Sequence, residues 1–90
     1  MKTPVYIAFE GIEGCGKTTQ ASRLVASLRL LDADSVLTRE TGGTDIGARI
    51  REVLHDTANT HLDAIAEALL IAGDRAQHRA EVLAPALAAG

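Results

Sequence analysis

Eight consecutive residues, Gly11-Ile12-Glu13-Gly14-Cys15-Gly16-Lys17-Thr18, form a complete G-x-x-x-x-G-K-[ST] string. These residue types at this spacing suit a polyphosphate. The glycines let the chain curl so that several backbone N–H groups point into one concavity. A helix beginning there aims the positive end of its dipole at the same place. Lys17 is expected to reach the β and γ phosphates as a mobile point charge. The Thr18 hydroxyl is expected to hold a magnesium ion that bridges them. All eight positions are candidate phosphate contacts.

Such a loop works only if elements on both sides hold it. Val5 to Glu10 reads as a buried strand, rich in β-branched and aromatic residues and closed by the glycine loop. From Thr18 to about Leu31 the apolar residues Ala21, Leu24, Val25, Leu28 and Leu31 recur at three- and four-residue steps, which predicts a helix with one side packed on a sheet. Asp32-Ala33-Asp34 is a polar turn, and Ser35 to Thr38 is a second, brief strand candidate, giving the order β-α-β.

Further along, Thr41-Gly42-Gly43-Thr44-Asp45 reads as a loop in which Thr44 or Asp45 caps a short helix carrying Ile46, Ile50, Val53 and Leu54. A polar stretch, His55 to His61, separates it from a long helical region starting near Leu62, with an apolar stripe of Leu62, Ile65, Ala66, Leu69 and Leu70. Gly73 interrupts that region, Pro85 is expected to kink or restart it, and Gly90 reads as a helix stop.

Ninety residues make at most one domain, spanning 1–90. A net charge of −3 argues against a surface that coats nucleic acid, which needs concentrated Lys and Arg. No apolar run approaches the roughly 18 residues of a membrane span. Met1-Lys2-Thr3-Pro4 does not resemble a secretory leader, and the single cysteine, Cys15, cannot form an internal disulfide. A cytoplasmic location is the expectation. Cys15 itself reads as a small side chain at a variable motif position, with oxidation sensitivity the alternative.

The phosphate loop, Thr-Arg-Glu-Thr-Gly-Gly-Thr (Thr38 to Thr44) and Glu-Ala-Leu-Leu-Ile-Ala-Gly-Asp-Arg-Ala-Gln-His (Glu67 to His78) follow one another in order, and with them the chain resembles bacterial thymidylate kinase. The resemblance implies an α/β fold, a P-loop NTPase-like parallel sheet with flanking helices. Residues 1–90 correspond to its N-terminal β-α-β-α-α portion alone. It also implies transfer of the ATP γ-phosphoryl to dTMP with Mg2+, and a homodimer.

Within that resemblance, Lys17 and Glu13 take catalytic positions, and Glu13 faces the acceptor nucleotide and orients its sugar; a solvated loop carboxylate is the plainer reading. Arg75 matches an arginine that hydrogen-bonds the thymine base, the alternative being a surface ion pair with Asp74 or Glu81. Arg39 falls near the acceptor nucleotide, with a structural ion pair as the alternative. Gln77 and His78 also fit the pattern, and His78 reads as structural.

Two residues depart from the family pattern. Ile71 stands where the family places a phenylalanine that stacks on thymine, and Thr41 replaces the usual proline. The resemblance further implies later segments carrying an Asp-Arg pair, lid arginines and the adenine pocket, with a strand lying between the two strands expected here. These 90 residues alone are therefore expected to be inactive and poorly stable. Another small-molecule P-loop kinase, or a non-catalytic ATP-binding module, are the competing functions.

Overall fold

The computed structural model describes residues 3–90, so Met1 and Lys2, half of the stretch read above against a leader, lie outside the described residues. Its elements are α1 (Lys17–Leu30), α2 (Asp45–His55), α3 (Ala64–His78), a π-helical turn (Arg79–Leu83) and α4 (Ala84–Ala89). The chain divides into two units, Met1–Leu37 and Thr38–Gly90. No described helix is long and apolar enough to cross a membrane.

In the first unit, α1 begins one residue earlier than the apolar spacing predicts and ends close to where it predicts. Its end is a Schellman motif: the Ala33 N–H donates to the Leu28 carbonyl (2.9 Å) and the Asp32 N–H to the Arg29 carbonyl (3.1 Å). Asp32 sits in the left-handed region at φ 56, which a short polar side chain tolerates. Val25 is buried, and Ala21, Leu24 and Leu28 beside it are half-buried, so most of the predicted stripe faces inward. Leu31, by contrast, is 77% exposed.

The two predicted strands are not formed: among the described residues there is no β-strand, hence no β-α-β order and no parallel sheet. Val5, Tyr6 and Ile7 are all more than half exposed. The reason is physical. A strand exists by its ladder of hydrogen bonds to a neighbour, and the preference of β-branched and aromatic residues for strands is a preference for a half-buried pleated surface. Neither segment has such a neighbour among the described residues.

In the second unit, side chains start both major helices. The Thr44 hydroxyl accepts from the Gly47 N–H at 2.8 Å and opens α2. One Asp63 carboxylate oxygen accepts from the Ile65 (2.9 Å) and Ala66 (3.2 Å) N–H groups and opens α3. Helix α2 packs on α3. The inner face of α3 runs through Leu62, Ala66, Leu70, Asp74 and His78 in four-residue steps, the last two fully buried, while Ile65 and Leu69 of the predicted stripe are 71% and 68% exposed. On α2, Ile50 and Leu54 are half-buried, and Ile46 and Val53 are exposed.

Gly73 does not interrupt α3, which passes through it. The restart expected at Pro85 takes the form of a π turn: the helix widens over Arg79–Leu83, and Pro85, which has no N–H to donate, falls in the first turn of α4.

Candidate functional site

The phosphate-loop residues lie in the first unit and all eight are exposed. A turn closes the loop through the Cys15 N–H to the Ile12 carbonyl (3.2 Å). Gly16 then leads into α1 with φ 92, a left-handed conformation that a side chain would strain, although a Cβ there would meet open space. Glycine is needed at this position for its backbone angle. The Lys17 ammonium curls back and donates to the Gly11 carbonyl at 2.7 Å, across the mouth of the loop.

The opening of α1 differs from that of its neighbours. It has no side-chain cap and no acidic residue in its first turn, whereas α2 and α3 each have both. The first turn of α1 is exposed, and among the described residues neither a side-chain cap nor an ion pair of Lys17 is formed there, which fits an anionic ligand. The same residues suit magnesium held mainly by phosphate oxygens and water. Thr18 contributes one hydroxyl, and among the described residues no cluster of three or more His, Cys, Asp or Glu is placed to cage a metal.

The remaining predicted residues, Arg39, Ile71 and Arg75, fall in the second unit, where a polar network organises the Thr38 to Thr44 segment on α3. The Arg75 Nε–H donates to Glu40 Oε1 at 3.1 Å. Glu40 Oε2 lies 3.3 Å from His78 Nδ1, and His78 Nε2 lies 2.6 Å from the Thr38 hydroxyl. Next to this chain, Asp74 Oδ1 accepts from the Gly42 N–H at 3.0 Å, and Arg51 Nη1 donates to the Thr41 carbonyl at 3.2 Å.

Gly43 shows how tightly the segment is laid down. A Cβ at that position would collide with the Arg39 carbonyl and the His78 ring. The neighbouring Glu40–Thr41 peptide is cis.

Both alternative ion pairs read from the sequence are absent. Arg75 pairs with Glu40, 35 positions earlier, rather than with Asp74 or Glu81, because Asp74 points inward from α3. Arg39 is exposed and has no ion pair among the described residues. Ile71 is 40% exposed, one turn before Arg75 on α3. His78 has the structural placement expected for it, at 1% exposure. Glu13 is an exposed loop carboxylate in the other unit.

Sequence reasoning missed Glu40, Asp74 and Arg51. The signal for Asp74 was its place four residues after half-buried Leu70 and four before His78, which extends the inner stripe with polar residues. Nothing local marks Glu40.

Comparison with known proteins decides the relationship: the thymidylate kinase family model matches residues 9–90. The chain belongs to the thymidylate kinase family. It is similar to thymidylate kinase of Trichlorobacter lovleyi, with 56% identity over 86 residues, covering 96% of this chain and 41% of that protein. It is similar also to thymidylate kinase of Geobacter sulfurreducens, with 54% identity over 85 residues, covering 94% and 40%. The likeness to thymidylate kinase of Desulforudis audaxviator is 52% over 87 residues, covering 96% and 39%. The chain thus spans about 40% of the length of these curated relatives. No solved structure matches it.

Proposed function

We propose that these residues supply the donor-phosphate cradle and part of the acceptor site of a kinase that transfers the ATP γ-phosphoryl to dTMP, giving dTDP. The observation that carries the donor half is the opening of α1, an uncapped helix start behind a left-handed Gly16 with Lys17 folded over it. The family membership and the thymidylate kinases that the chain is similar to support the acceptor half.

In this reading, amide N–H groups of the Gly11 to Gly16 loop and the first turn of α1 donate to the ATP phosphate oxygens, while Lys17 exchanges its Gly11 carbonyl for β and γ oxygens. Phosphoryl transfer needs positioning and charge neutralisation more than covalent help, and these groups provide both. The Thr18 hydroxyl would hold magnesium, which when bound would neutralise charge on the phosphates. Glu13 orients the acceptor sugar, Arg75 bonds the base with its planar fork, Arg39 lies near the acceptor nucleotide, and Ile71 presents an aliphatic surface to the base.

The reading carries its setting with it: residues 1–90 as part of a single P-loop kinase domain with a parallel sheet, acting as a cytoplasmic homodimer. A lone cysteine suits a reducing compartment. An acceptor screen on the intact protein tests the proposal. dTMP phosphorylated in preference to AMP, CMP and thymidine supports it, and any other order overturns it.

A further inference from the structure

The most buried groups in the second unit are not apolar. His78 and Asp74 are each 1% exposed, and His78 ends a chain of contacts that leads outward through Glu40 to Arg75. The side chains of that chain grow more exposed step by step: 1% at His78, 28% at Glu40 and 70% at Arg75. An ion pair as exposed as Arg75–Glu40 adds little to stability, since solvent and salt screen it. Its geometry is the informative part. Glu40 takes the single Nε–H of the guanidinium, which leaves both terminal amino groups, the ends of the planar fork, without a partner among the described residues on a side chain that is largely exposed. Glu40 is itself held at its second oxygen by a buried ring whose other nitrogen is hydrogen-bonded to the Thr38 hydroxyl.

We propose that Glu40 is a positioning residue: anchored by buried His78, it fixes the direction of the Arg75 fork and through it the recognition of a carbonyl-bearing planar base on the acceptor nucleotide. The proposal rests on the acceptor reading given above for Arg75. A long side chain that is 70% exposed would otherwise sample many rotamers, and holding it in one lowers the ordering cost of binding. The phosphate donor has no part in this chain of contacts.

The test uses the intact protein with selectively 15N-labelled arginine, and two readouts. The first is the Arg75 Nε–H resonance, assigned by its disappearance in Arg75→Lys. The second is the pair of dissociation constants for dTMP and for a non-hydrolysable ATP analogue. In Glu40→Ala the Arg75 resonance should lose its carboxylate-bonded position and dTMP binding should weaken about tenfold, the size of one charge-assisted hydrogen bond. ATP-analogue binding should stay within twofold. Glu40→Gln keeps the volume and one oxygen, so it should fold and recover part of the loss. An unchanged Arg75 resonance or unchanged dTMP affinity in both variants overturns the proposal. So does an equal loss for dTMP and the ATP analogue, which a merely structural role would give. If the wild-type protein fails to bind dTMP while its Arg75 resonance is intact, the acceptor reading falls and the recognition half of this proposal with it. That pattern is distinct from a failure of Glu40 to hold Arg75.

Discussion

The two candidate regions are built on opposite principles. In the phosphate loop the groups proposed to meet a ligand are backbone amides and one lysine, contributed by eight consecutive residues, all exposed. In the Thr38–Gly90 unit the groups are side chains joined across 32 to 40 positions of sequence and anchored on the most buried residues of the chain. A backbone cradle carries its geometry in local φ and ψ preferences. A side-chain array has none until a helix and a loop distant in sequence are laid together. The difference teaches that a local backbone motif and a fold-dependent side-chain array, built by opposite means, can occur in the same short chain.

The largest test of the contrast removes everything except these residues. Val25 is the only buried apolar residue among those described, and Val5, Ile12, Leu30 and Leu31 are more than 75% exposed. Burial of apolar surface is the main driving force of folding, so the 90 residues expressed alone should melt without a cooperative transition by calorimetry. A sharp two-state transition would mean that the polar network suffices as a core, contrary to the comparison drawn here.

Lys17→Ala in the intact protein comes next. Loss of a charge aimed at the transferring phosphates should lower turnover on the order of 10²- to 10³-fold. The thermal midpoint should hardly move, because Lys17 is exposed and its one hydrogen bond lies at the surface. A large drop in melting temperature would show that the loop is not the self-contained region described.

His78→Ala should do the reverse. It leaves Glu40 and Thr38 without their buried partner and should cost roughly 1–3 kcal/mol of stability in urea unfolding. Affinity for an ATP analogue should be retained, and coupled loss of both would break the comparison. The smallest effect expected is that of Thr44→Ala. It removes the cap of α2 and should cost about 1 kcal/mol. α1 has no side-chain cap to lose, so no equivalent substitution exists at Gly16.

What could be read from the chain follows the same division. The helices were legible because each carries its signals locally: the apolar spacing of α1, the Thr44 cap of α2, and the restart at Pro85. The strands expected over Val5 to Glu10 and Ser35 to Thr38 are not formed among the described residues, because β-propensity describes a residue's fit to neighbours that those residues do not supply. On α3 the stripe was half right. Leu62, Ala66 and Leu70 do face inward, but the face continues through Asp74 and His78 rather than Ile65 and Leu69, since burial there is decided by polar partners on the 38–44 segment.

By itself the sequence determined the phosphate loop, its following helix and the family of the chain, because a contiguous motif encodes its own backbone curvature and charge. Only the tertiary structure decided that Arg75 pairs with Glu40, that Asp74 turns inward to the Gly42 amide, and that His78 is an anchor. Those choices depend on which of several acids comes within about 3 Å of a given donor. Sequence distance does not govern that proximity; the packing of one segment against one helix face does.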